Sequence, residues 1–413
     1  MRARQALLLA IPLFGACDPG GGTTAAVVVA DSAGVQIVSS DESVWGVEGG
    51  WTLERSPRTQ IGVFEGDRAY QFNRIIGAVT LSDGRIAVAD MGSSEVRLFD
   101  ESGRHFASIG GAGDGPGEFR QITALHRLAE DELAVENRSH RVQIFGADGS
   151  LRRAVTIGTI SSELDPILFH ENPPASVRVV GWLHDGSFVG WRSTQPTLTE
   201  TRTFEQAETL QHTYSRFGPQ GEDVEEVLSL PGTTFHPHPM GVILSSVFAS
   251  SLYTGISGDH LVIGGSGSGE VKWYSLAGGL QRVARLPWPR RPVSDDMVER
   301  YVTGSAPPLN EALVRGRTFE QSLPAFSDLM VDPLGNVWLR RYEVDHAFTT
   351  MQYVRTVGVP SEWVVLDPAG RWLGEVQTPA QFTVLEIGSD HVLGLRRDEF
   401  DVEFIEVYRL LKP

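Results

Sequence analysis

Two stretches of the 413-residue chain align almost residue for residue: SDGRIAVADMGSSEVRLFDESGRHFASIG at 82–110 and EDELAVENRSHRVQIFGADGSLRRAVTIG at 130–158. Each runs from a tight turn through an alternating strand, a short loop, a second alternating strand ending in Phe, a Gly turn and a third strand, which is an antiparallel meander. GAVTL at Gly77–Leu81 precedes the first copy and supplies a fourth strand. Weaker copies begin at HDGSFVGWR (184–192), GDHLVIGGSGSGEVKWYSLAGG (258–279), LGNVWLRR (334–341) and SDHVLGLRR (389–397). A unit that recurs in this way cannot bury its apolar faces alone and must stack on its neighbours. Six four-stranded units, roughly 45 to 75 residues apart, predict an all-β chain folded as a six-bladed β-propeller.

Closure of the ring gives a second line of argument. The sixth unit stops at VYRLLKP without an outer strand, and an open ring would leave exposed edges. At the other end, WTLERSPRTQIGVFEGDRAYQF (51–72) parallels GRHFASIGGAGDGPGEF: Ile61-Gly62 matches Ile109-Gly110, and Tyr70-Gln71-Phe72 matches Gly117-Glu118-Phe119. The N-terminal segment is therefore expected to supply the outer strand of the last blade, with VQIVSS (35–40) pairing there as well. The glycine-rich SIGGAGDGPGEF is not a phosphate loop, because no Lys-Ser or Lys-Thr follows Gly117 and the spacing does not fit G-x-G-x-x-G. It reads as the crossover between blades, where glycine permits positive φ and Phe119 anchors the return. In this form the chain resembles NHL-repeat and related six-bladed propeller proteins, a resemblance that implies architecture far more than activity.

The leader MRARQALLLAIPLFGAC has two arginines, an apolar run too short to span a bilayer, and small residues before Cys17, the only cysteine. It resembles the lipobox of bacterial lipoproteins, which implies lipidation of Cys17 and a place in the bacterial cell envelope, on a membrane the sequence does not choose. The expected division is a signal peptide at 1–16, a lipidated flexible tether at 17–33 and the propeller at 34–413. A net charge of −17 and a pI near 5.1 argue against nucleic acid, and against contact with anionic membrane other than through the lipid. The chain is expected to be monomeric.

Recognisable catalytic patterns are scarce. GGSGSG (264–269) lacks the G-x-S-x-G spacing of a hydrolase elbow and reads as a hairpin loop. His236 and His238 in FHPHPM are too few for a metal site. Calcium-dependent lactonases and esterases of the six-bladed class imply a cluster of carboxylates and amides at the channel, where Asp328, Asp332 or Glu386 would contribute. The position ending the second strand of each unit holds Asp90, Asn137, Arg192, Gly265, Arg341 and Arg396, and three arginines oppose a calcium site there.

A meander places short turns on one face of the disc and the long excursions on the other. The long excursions are 193–213, 342–360 and the crossovers near 160–177, 231–248 and 287–325, the last with a short helix at SDDMVERYV capped by Ser294. Long loops on a rigid scaffold carry function. Arg192, Arg341 and Arg396, with Asp90 and Asn137, are thus the candidate ligand-binding residues, and Arg340 and Arg397 lie beside them. The competing reading pairs the arginines with Asp90, Glu343, Asp398 and Glu399 as scaffold. The expectation is a non-enzymatic binding or assembly propeller that holds a protein or an anionic ligand and needs no cofactor. The alternative is a calcium-dependent lactonase-like, esterase-like or lyase-like enzyme with its site in the channel.

Overall fold

The computed structural model describes residues 27–46, 49–137, 141–157, 177–193, 206–241, 243–305, 314–344 and 360–413. Four short strands come first: β1 (Val27–Ser32), β2 (Val35–Ser40), β3 (Thr52–Leu53) and β4 (Thr59–Ile61). Blade one is β5 (Ile75–Thr80), β6 (Ile86–Asp90), β7 (Glu95–Phe99) and β8 (His105–Gly110); blade two is β9 (Ile122–Arg127), β10 (Leu133–Asn137), β11 (Arg141–Phe145) and β12 (Leu151–Thr156). Blade three is β13 (Arg178–Trp182), β14 (Phe188–Ser193), β15 (Glu208–Phe217) and β16 (Asp223–Pro237), extended by β17 (Ile243–Ser245). Blade four is β18 (Leu252–Ser257), β19 (His260–Gly265), β20 (Glu270–Ser275) and β21 (Leu280–Arg285), followed by the helix α1 (Asp295–Ser305). Blade five is β22 (Phe326–Val331), β23 (Val337–Arg341), β24 (Pro360–Leu366) and β25 (Trp372–Ala380); blade six is β26 (Phe382–Ile387), β27 (His391–Arg397) and β28 (Glu403–Leu411). The six-bladed propeller expected from the repeats is the fold.

Strand alternation explains where the core sits. In β6, Ile86 and Val88 face blade six while Ala87 and Ala89 face blade two, so a strand buried on both sides reads as a continuous apolar run. The same division around the ring gives six apolar layers, one between each pair of neighbouring blades. Gly103, at φ +83° in the outer turn of blade one, lies against the closing strand of blade six, where a Cβ would come within 3.1 Å of Ile61 Cγ1. The glycine loop that follows is the expected crossover: Phe119 is fully buried beneath it, and Gly110 packs on the Phe119 ring. Gln143, also buried, fixes this loop by accepting from Gly117 N–H (2.7 Å) and donating to the Glu118 carbonyl (2.7 Å).

The N-terminal segment closes the ring as expected, with Ile61 opposite Ile405 and Leu53 opposite Leu410 on β28. VQIVSS does not join it there. As β2 it pairs in parallel with β21 of blade four, Gln36 opposite Arg282, and β1 folds back on β2 as the outermost strand. Between these contacts Val44 and Trp45 donate backbone hydrogen bonds to Trp372 and Leu373 of blade five (2.9 and 2.8 Å), and Trp45 packs on Trp51 at 5.1 Å. The segment is thus a strap around the rim of blades four, five and six. Its first strand, β1, lies within the stretch expected to be tether.

Blade three also departs from expectation. Pro231 does not begin a crossover, because β16 runs on to Pro237 and turns back as β17, so His236 lies in a strand. Beyond it, α1 starts where Ser294 Oγ accepts from Met297 N–H (3.3 Å). Tyr301 and Val302 of α1 share a small core with Val247, Phe248 and Leu323, forming a cap on the long-loop face. The expected excursions at 193–213, 342–360 and 160–177 lie largely outside the described residues.

Candidate site at the loop-face mouth of the channel

The column of second-strand termini stands at equivalent blade ends, but each member bonds within its own blade. Asp90, 1% exposed, accepts from Asn73 N–H (3.2 Å), Gly92 N–H (3.0 Å) and Ser93 Oγ (3.1 Å) and pairs with Arg97 at 3.1 Å. Burial pushes its carboxyl up, and Arg97 opposes that shift. Asn137 Oδ1 accepts from Arg141 N–H at 3.2 Å, bridging the loop that follows. Arg192 pairs with Asp223 and lies over the Phe217 ring. Arg341 pairs with Glu362 and Glu375, with Trp288 beneath it at 5.3 Å. Arg396 Nε donates to Glu406 at 2.6 Å, and Arg397 reaches Glu403 at 2.6 Å. These carboxylates stand across the strand pair. They are Asp223, Glu362, Glu375, Glu406 and Glu403, where the sequence points to Asp90, Glu343, Asp398 and Glu399.

The structure assembles a different pair at the long-loop end of the inner strands of blade five. Asp328 sits opposite Arg340 after the bulge at Ser327, whose hydroxyl accepts from Arg340 Nε at 3.1 Å. The residue keeps some solvent contact, yet burial dominates its carboxyl and pushes it up, against the pull of Arg340 and of its bond from Leu329 N–H at 2.8 Å. Tyr253, from the adjoining inner strand, is likewise raised by burial and then by Asp328. Tyr342 is raised by burial and then by Tyr253, while its carbonyl accepts from Arg291 Nη2 at 2.5 Å. Asp328 and Arg340 thus stand together at the long-loop end of blade five, and a guanidinium there suits a ligand that carries negative charge.

On the opposite face, where blade six meets blade one, His391 lies 3.1 Å from Thr80 Oγ1 and 3.0 Å from Asp390 Oδ1, with Glu386 at 3.5 Å. The spacing is that of a hydroxyl, an imidazole and an acid. Burial disfavours the imidazolium, yet hydrogen bonds to Glu386 and Asp390 outweigh it and raise the His391 pKa. Thr80 N–H donates to Glu386 (2.6 Å), and Arg127 of blade two donates to the Thr80 carbonyl (2.8 Å), so the group clasps three blades. Among the described residues no three His, Cys, Asp or Glu side chains converge as a metal site.

The sequence reading names Asp328 and places Arg340 beside the candidate arginines on the long-loop face; the bulge at Ser327 that sets the two opposite each other has no sequence signal.

A family model described as a 6-bladed beta-propeller matches residues 72–135. No curated protein matches the chain. Among solved structures, the chain is similar to a protein from Bacteroides fragilis described as exported, at 10% identity over 91% of this chain and 100% of that one (TM-score 0.48). It is similar to a member of the duf4221 family from Bacteroides vulgatus, at 9% identity over 89% of this chain and 100% of that one (TM-score 0.48). It is also similar to virginiamycin B lyase from Staphylococcus aureus, at 9% identity over 88% and 100% (TM-score 0.41). Among the described residues no helix is long and apolar enough to cross a membrane.

Proposed function

We propose that the chain is an NHL-like binding propeller, tethered to the bacterial envelope by lipid on Cys17, that holds an anionic ligand at the long-loop end of blade five. One observation carries this reading: Arg340 stands opposite the half-buried Asp328 with its Nε held by the Ser327 hydroxyl at 3.1 Å, which fixes the guanidinium at the loop end of the inner strands. Arg192, Arg341 and Arg396 border the same face, and each already has a carboxylate partner, which makes Arg340 the cation assigned to the ligand.

Calorimetric titration with citrate and with a polyglutamate peptide tests the assignment. Binding is expected for the parent chain and is lost in Arg340→Met. It weakens as pH rises through the elevated Asp328 value, because the ionised carboxylate repels the ligand, and Asp328→Asn removes that pH dependence. Undiminished binding in Arg340→Met, or no binding of either probe between pH 5 and 8, refutes the reading.

A further inference from the structure

We propose that β1 is a self-association edge through which two membrane-tethered copies of this chain pair antiparallel, β1 to β1. β1 is the terminal strand of the six-stranded sheet in blade four, and among the described residues its outer edge has no partner. It pairs with β2 over all six residues without a bulge, and five of its six residues are exposed, including Val28 (57%) and Val29 (60%). Edges are normally blunted by proline, lysine or a bulge. This one has none of them, and among the described residues it presents a regular row of unpaired backbone groups on a β-branched strand.

The occupant follows from charge and register. At a net charge of −17, two copies repel over most of their surface, so contact is favoured where charge is least. β1 carries one charged residue, Asp31, whose Oδ1 accepts from Gly34 N–H in the turn to β2. Antiparallel pairing about a two-fold axis at Val29 sets Val28 against Ala30 and Val27 against Asp31, so like charges never face each other. Such a pair buries far less than the ~1,200 Å² of a stable interface, so the chain is monomeric in dilute solution.

Pairing therefore depends on local density, and here the inference rests on the Cys17 anchor. Cys17 lies ten residues before Val27, a span of at most about 35 Å, which holds every copy of the edge at a similar height above one surface.

Oxidative cross-linking of the full chain carrying Val29→Cys, in membranes of cells that make it, tests the pairing. A disulfide-linked dimer is expected, and Val224→Cys, a comparably exposed position on blade three (54%), gives at least about tenfold less. The parent chain controls for the anchor, since its only thiol is at Cys17: a dimer there refutes lipidation and leaves the edge to be judged separately. For that, Val29→Cys on a Cys17→Ser background, concentrated in solution, reports pairing without a membrane. If Val29→Cys does not outpace Val224→Cys in either setting, the proposal is overturned.

Discussion

Arg396→Ala separates scaffold from ligand site most cleanly. Glu406 is 2% exposed and accepts from Arg396 Nε (2.6 Å), Gln60 Nε2 (3.0 Å) and Tyr408 OH (2.8 Å). Without Arg396, a buried carboxylate keeps two neutral donors and no counter-charge. Breaking such a pair costs about 3–5 kcal/mol when both partners are buried. Here the guanidinium is partly exposed, and solvent screening reduces that figure. We therefore expect a loss of about 2–3 kcal/mol at pH 7. Urea unfolding followed by tryptophan fluorescence measures it, and Glu406→Gln completes a double-mutant cycle. A loss under about 0.5 kcal/mol refutes the buried-pair argument. Loss of citrate binding with stability intact would return Arg396 to the ligand site.

Because the His391 pKa is raised, its contribution is fully present below the ordinary histidine value and is lost as pH rises through the elevated one. His391→Gln should accordingly destabilise the protein more at pH 6 than at pH 9 by urea unfolding, and an equal loss at both would show that the clasp is not ionic. Asp328 is also raised, so its contribution falls as pH climbs, and Asp328→Asn should flatten that part of the stability profile while Asp328→Ala leaves a hole in the channel wall. Trp45→Ala should cost about 2–4 kcal/mol by removing the ring that joins strap to blade five, and a change below about 1 kcal/mol would show that the strap is not seated there. Cys17→Ser should release the chain from membranes, measured by fractionation, and continued attachment would end the lipid-anchor reading.

The ring and its closure were legible because both rest on local chemistry repeated in register. The Ile-Gly pair and the returning Phe recur at 61–72 and 109–119, and the same packing of glycine against an outer strand recurs with them. VQIVSS was legible as a strand, but its address was not. The outer edges of blades four and six look alike in sequence, and the choice between them is made by where Trp45 and Trp51 seat along the rim. In blade three, proline suggested an end to the strand, yet Pro231 sits opposite Gln211 beside a register shift, where the ladder tolerates a missing donor. The arginine column was visible as a column. Its carboxylates were not, since Asp223, Glu375 and Glu406 become neighbours only when strands pair across the blade. Asp328 and Arg340 were both legible as residues near the loop face, but their pairing was not, because it depends on a bulge at Ser327 that no spacing rule predicts.

The strap has a consequence for how the molecule is made. Gln60 and Glu406 touch across 346 residues of sequence, so β3 and β4, early to leave a ribosome or a translocation pore, have in β28 a partner that emerges last. Contacts of such long range are slow to form because the loop between them must close first. For most of its synthesis the chain therefore carries Ile61 and Trp51 uncovered while blades one to five assemble behind them. Their late capture converts an open, sticky arc into a ring in one step. A holding chaperone acting on this protein would find its binding site at 51–61 and would be displaced by arrival of the last blade.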